Sequence, residues 1–285
     1  MKCGVIDIGS NSVRLMISDG IKTLSKEVIT TKLAEGMVDR VLKPESIERT
    51  VSALSFLCKK SHEYKVDKLY VFATAATRNA KNKDEFLRLV KSVCGVDVDV
   101  ISGEEEAKVG YVGALSGLDG GIIDVGGAST EVMVVRNNVL TYVKSLNVGA
   151  VSVKDRYGQD EKNTAKFLSK KVLEYGQVPL ADFYAIGGTA TSVAAMLQEL
   201  SPYDPSKVDG YVVLKHDLEN LTNRLFSMTV DERKKLKGLQ PERAEVIASG
   251  CSILLSVMKH LGVDKIIVSE KDNLEGYLKL KLEKK

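Results

Sequence analysis

GVIDIGSNSVRLMI (residues 4–17) and GIIDVGGASTEVMV (residues 121–134) are two versions of one pattern. With Asp7 laid over Asp124 and no gaps, six pairs are identical: Gly4/Gly121, Ile6/Ile123, Asp7/Asp124, Gly9/Gly126, Ser12/Ser129 and Met16/Met133. Each copy reads as a buried strand ending in Asp-x-Gly, a loop of small residues, then a second strand. Each opens about half of the chain. One such loop alone reads first as an ordinary hairpin turn. Two in the same context argue for two related halves whose loops face each other across a cleft.

The rest of the chain agrees with an α/β class, because strand-like and helix-like segments alternate throughout. Strands are expected at 3–9, 13–18, 68–73, 97–101, 121–126, 129–136, 138–146, 182–186 and 264–268. Helices are expected at 45–63, from the 70s to about 94, from near Glu104, and at 161–175, 190–199, 215–227 and 241–260. A basic helix closes the chain, and SPYDPSKVDG (201–210) reads as a loop. The first half is taken as 1–117 and the second as 118–271.

Composition narrows the function classes. The chain has 285 residues, 44% apolar and 28% charged, so it can bury large cores. A net charge of +3 leaves no polybasic arm, and 6% aromatics with no tryptophan leave no base-stacking platform. DNA and RNA are therefore not expected partners. Asp7 interrupts the first apolar run, which argues against a secretory leader, and no apolar stretch is long enough to span a bilayer. Four scattered cysteines and three scattered histidines show no zinc spacing. A reducing cytoplasm is expected, with no membrane partner.

A strand ending in Asp-x-Gly sets a carboxylate beside backbone amides that can cradle phosphate oxygens. Such a carboxylate suits Mg²⁺, which takes few carboxylates and keeps waters. A third glycine pair, Gly187–Gly188, lies between a strand and a helix in AIGGTATS. That is a generic anion site, and equally a close packing turn.

Seven blocks together resemble the exopolyphosphatase / guanosine pentaphosphate phosphatase (Ppx/GppA) family within the actin-like superfamily. They are IDIGSNSVRL (6–15), ATAATRNAKN (73–82), ISGEEEAKVGYVGA (101–114), IDVGGASTEV (123–132), NVGAVS (147–152), IGGTATSVAA (186–195) and GLQPERAEVIASGCSIL (238–254). They run in family order over essentially the whole chain. The resemblance implies two actin-like (ribonuclease H-like) domains flanking a phosphate-binding cleft. It also implies Mg²⁺-dependent hydrolysis of the terminal phosphoanhydride of polyphosphate or guanosine pentaphosphate.

Residue by residue, the resemblance implies that Glu106 activates the attacking water and that Arg78 contacts phosphate. Asp124, with Asp7, would hold the metal. Asp7, Gly9, Ser10, Asn11 and Ser12 would form the first phosphate loop. Gly126, Gly127, Ser129 and Glu131 would form the second, and Gly187, Gly188 and Thr189 the third. Two positions depart from the family pattern: Ala128 replaces a common glycine, and the third loop lacks the lysine of some relatives. Both leave substrate preference open.

The chain resembles the short family members without a further helical domain, so the final helix (about 272–285) is expected to return to the first half. A homodimer and regulation by ppGpp are further expectations from the resemblance. Basic residues at 233–237 and 279–285 could guide a polymer, or could equally be solvated helix faces; none is assigned. Two rival functions remain at this stage: an ATP-dependent kinase or ATPase of the same superfamily, and a non-enzymatic nucleotide sensor.

Overall fold

The structure is a computed structural model that describes residues 1–115, 117–137 and 139–283. Asn138 (the first residue of one expected strand) and Lys284 and Lys285 of the basic tail lie outside the described residues.

Two mixed sheets organise the chain. The first contains β1 (Cys3–Ile8), β2 (Ser12–Ser18), β3 (Thr23–Thr30), β4 (Lys68–Ala73) and β5 (Val98–Val100), in the order β3-β2-β1-β4-β5. The second contains β6 (Gly120–Val125), β7 (Thr130–Arg136), β8 (Val139–Leu146), β9 (Phe183–Ile186), β10 (Val212–Leu214) and β11 (Lys265–Val268), in the order β10-β11-β9-β6-β7-β8. In both, an antiparallel three-strand meander is followed by two parallel strands. The sequence repeat is thus a repeat of topology, and the fold is two related α/β halves of the actin-like type.

Helices cover these sheets. The first half contributes α1 (Pro44–Glu63), α2 (Ala75–Asn79), α3 (Lys83–Cys94) and α4 (Gly103–Leu115). The second contributes α5 (Ala150–Tyr157), α6 (Glu161–Lys171), α7 (Gly187–Leu197), α8 (Pro205–Val208), α9 (Lys215–Ser227), α10 (Val230–Arg233) and α11 (Ile247–Leu261), and α12 (Asn273–Glu283) follows β11. Pro44 at the first position of α1 supplies a fixed φ where an amide is not needed. Apolar Ile47, Leu54, Leu57 and Cys58 then bury one face of that helix.

Two helices are exchanged between the halves. Ala107 and Leu115 of α4 pack on Ile122, Met133 and Ile186 of the second sheet. Leu274, Tyr277 and Leu278 of α12 pack on Cys3, Val5 and Phe72 of the first. The helices meet through glycine: a Cβ at Gly113 would lie 2.0 Å from the Asp272 carbonyl oxygen, and one at Gly276 would lie 1.8 Å from that of Val109. Only glycine permits backbones this close.

Several expectations need adjusting. β3, α5 and β10 were not anticipated, and the 201–210 loop contains the single turn α8. The expected helix at 241–260 is a 3₁₀ turn, Pro241–Arg243, followed by α11 from Ile247. The expected helix at 161–175 tightens to 3₁₀ geometry at Val172–Tyr175. Helix α7 begins at Gly187, so the third glycine pair forms its first turn rather than a loop before it. Among the described residues, no helix is long and apolar enough to cross a membrane.

Candidate active site

The two Asp-x-Gly loops fold alike. Gly9 N donates to Ser12 O at 3.0 Å, and Gly126 N donates to Ser129 O at 3.0 Å. Loop carbonyls are tied back in both. Asn11 O accepts from the amides of Thr31 and Lys32, while Gly126 O and Gly127 O accept from Ala150 and Val151 at the start of α5. Among the described residues, the amides of Ser10, Asn11, Gly127 and Ala128 make no such bond. The loops face each other closely, because a Cβ at Gly127 would come within 2.8 Å of Ser10 Cβ. Small residues at these points are a steric requirement of the pairing.

One cleft between the halves is lined by Asp7, Gly9, Ser10, Asn11, Ser12, Glu106, Asp124, Gly126, Gly127, Ser129, Gly187, Gly188 and Thr189. The structure therefore brings together most of the residues singled out from sequence. Arg78 and Glu131 stand behind the wall instead. Arg78, on α2, donates from one nitrogen to Glu106 Oε2 and to the Ile101 carbonyl, both at 2.9 Å. Glu131, 1% exposed, accepts from Ser145 Oγ at 2.6 Å.

The acidic start of α4 separates its three glutamates by role. Ser102 Oγ accepts from the Glu105 amide, and Glu105 Oε2 accepts from the Ser102 amide, a reciprocal cap. Glu104 is exposed. Glu106, 7% exposed, turns inward to the cleft. Burial pushes its carboxyl above the usual range, and Arg78 acts against that rise by favouring the ionised form.

Asp7 and Asp124 occupy equivalent places with different neighbours. Asp7 stands opposite Arg14 in the β1–β2 register, and Asp124 stands opposite Glu131 in the β6–β7 register. Arg14 bridges Asp7 Oδ2 and Asp272 Oδ2. Asp7, 3% exposed, keeps its Oδ1 buried and unpartnered. Burial, then the Glu106 charge, pushes the Asp124 carboxyl up to about 8. Burial, then Glu106 and Asp124, likewise holds Glu131 well above the carboxylate range. Acidic groups are thus crowded at the cleft, and burial favours their protonated forms.

Could this cleft hold a divalent cation? Among the described residues, no three His, Cys, Asp or Glu side chains converge as a ready-made cage. Two carboxylates and retained waters suffice for Mg²⁺, and an orphaned buried oxygen on Asp7 fits that use.

Four polar or charged lining residues were not singled out from sequence: Arg14, Thr74, Arg243 and Asn273. Arg243 has no carboxylate partner among the described ion pairs, and its guanidinium lies against Gly188, where a Cβ would clash at 1.9 Å. Burial, then the Arg14 charge, lowers it to about 10. A signal for Arg14 did exist: within the repeat it takes the place held by Glu131, a reversal of charge.

Comparison with known proteins identifies the family. The profile of the Ppx/GppA phosphatase family matches residues 11–285. Exopolyphosphatase 2 of Mycobacterium tuberculosis is 29% identical over 96% of this chain and 97% of its own length. A guanosine-5'-triphosphate,3'-diphosphate pyrophosphatase of Photobacterium profundum is 30% identical over 93% of this chain, which spans 56% of that relative's length. The crystal structure of the Aquifex aeolicus Ppx/GppA family member superposes with a TM-score of 0.81 at 31% identity, covering 100% of this chain and 98% of that one. With the paired loops, the cleft and a profile match over nearly its whole length, the chain belongs to the Ppx/GppA phosphatase family.

Proposed function

We propose that this chain is a Mg²⁺-dependent hydrolase that removes the terminal phosphate of inorganic polyphosphate or of guanosine pentaphosphate. The observation that carries this reading is Glu106. It is buried, held by Arg78, and faces the same cleft as two phosphate-type loops and Asp124. A base needs this combination of access, fixed orientation and restrained ionisation.

In this reading, loop amides and the hydroxyls of Ser10, Ser12 and Ser129 hold phosphate oxygens. The guanidinium groups of Arg14 and Arg243 offset charge on the chain of phosphates. Asp124 and the free Oδ1 of Asp7 would hold Mg²⁺, which supplies charge neutralisation at the phosphoryl group. Glu106 takes a proton from the attacking water. Arg78 acts through Glu106, holding its carboxylate ionised and oriented; it is a positioning residue rather than a phosphate contact.

Phosphate release from polyphosphate, guanosine pentaphosphate and ATP, each with Mg²⁺ or with chelator, tests the reading. Release from either of the first two, dependent on Mg²⁺ and lost in Glu106→Gln with binding retained, is expected. Transfer of phosphate to an added acceptor would favour a kinase. Nucleotide binding with no release at all would favour a sensor.

A further inference from the structure

The first residue of α12 carries a polar group that the fold itself does not use. Asn273 is 4% exposed, lines the cleft, and its side-chain Oδ1 has no partner. Buried amide oxygens are normally satisfied, so an orphan one calls for an explanation. Helix capping is not it. Asp272 Oδ1 already accepts from the Leu274 amide, and Glu275 Oε2 accepts from the Asp272 amide.

The surroundings are built to seat this amide. Its Oδ1 rests over Gly110 of α4, where a Cβ would approach to 3.1 Å. Gly110 lies one helical turn beyond Glu106. The segment is also rigidly held. Arg14 grips Asp272, Lys26 pairs with Glu275 at 2.7 Å, and Gly113 and Gly276 bring the two helix backbones together. Glu106 and Asn273 thus belong to one interlocked helix pair and face one cleft.

We propose that Asn273 is a further residue of the reaction site, its side-chain oxygen orienting the attacking water together with Glu106. The inference rests on the hydrolase reading above. Water has two protons and needs two acceptors to aim a lone pair at phosphorus. Its oxygen forms the new bond to the terminal phosphorus as the bridging P–O bond breaks, and that electron pair leaves with the shortened phosphate chain. One proton passes to Glu106; the other remains on the product phosphate, held during attack by Asn273.

The test compares wild type with Asn273→Ala and Asn273→Asp. Removing an unpartnered buried group should leave Tm at or above that of wild type. Titration calorimetry with inorganic tripolyphosphate and Mg²⁺ should show affinity within about twofold, while kcat falls about 10- to 100-fold. Asn273→Asp retains an acceptor, so it should recover part of kcat and raise KM through charge repulsion. An unchanged kcat in Asn273→Ala would overturn the inference, as would a lowered Tm with binding lost in parallel. A wild-type protein that releases no phosphate would overturn the hydrolase reading itself, and this inference with it.

Discussion

Asp124 faces Glu131 directly across the β6–β7 ladder, at the place where the first half pairs Asp7 with Arg14. One repeat position therefore neutralises its aspartate and the other crowds it with a second acid. Burial and that crowding hold Glu131 protonated in the folded chain, whereas it ionises in the unfolded one. Glu131→Gln should remove this cost and stabilise the metal-free protein at pH 7 by on the order of 1 kcal/mol or more. The same change should weaken Mg²⁺ binding. Denaturant melts and calorimetric titration with Mg²⁺ check the two halves of this prediction.

Crowding of acids also fixes how stability responds to pH. The Asp124 carboxyl is raised to about 8 from an unfolded value near 4. Between those values the folded protein holds a proton that the unfolded chain has lost. Stability without metal should therefore fall as pH rises from about 5 to 8, by up to about 1.4 kcal/mol per unit for this group. Mg²⁺ should flatten the slope by favouring the ionised form. Urea melts at pH 5, 6, 7 and 8, with and without Mg²⁺ and in Asp124→Asn, would show it.

Arg78 predicts a different pH effect. It counters the upward shift of Glu106, so Arg78→Met should let that carboxyl rise further. The proposed base would then be protonated over more of the neutral range. Activity should fall on the order of 10- to 100-fold at pH 7 and recover towards pH 9, with KM nearly unchanged. An equal loss at all pH values, with KM raised, would instead mark Arg78 as a phosphate contact.

Arg243 should show the opposite split. It lines the cleft and has no carboxylate partner among the described ion pairs, so Arg243→Ala should raise KM. A charged hydrogen bond lost from the bound state costs roughly 1.5–3 kcal/mol, about ten- to a hundredfold in affinity. Gly188→Ala should raise KM too, because its Cβ would meet the Arg243 guanidinium end rather than backbone. Steady-state kinetics on both variants, with melting curves to confirm the fold, checks this.

Much of the architecture was legible because one pattern occurs twice. Matching Asp7 with Asp124 located both loops, and the strand–loop–strand context supplied both hairpins. β3 escaped because TLSKEVIT is an edge strand with no fully buried position, so it shows no clean alternation. Arg14 reads in sequence as a polar strand residue, and only its contact with Asp272, 258 residues away, shows it to be a bridge. Asn273 offered no signal at all: its meaning comes from the glycine at position 110 and from an oxygen left without a donor. Glu106 was separable from Glu104 and Glu105 only through the family resemblance. The structure adds the physical distinction, since Glu105 closes the helix cap and Glu106 turns inward.

The exchange of α4 and α12 has a consequence for how the chain comes apart. Severed between Leu115 and Gly120, the first piece would expose Cys3, Val5 and Phe72, stripped of Leu274 and Tyr277. The second would expose Ile122 and Met133, stripped of Ala107. Each fragment keeps the core on one face of its sheet but loses the helix that covers the other, so neither forms an autonomous folding unit. Despite its twofold internal resemblance, the protein should lose structure in a single cooperative step, with the cleft dissolving at the same denaturant concentration as both cores.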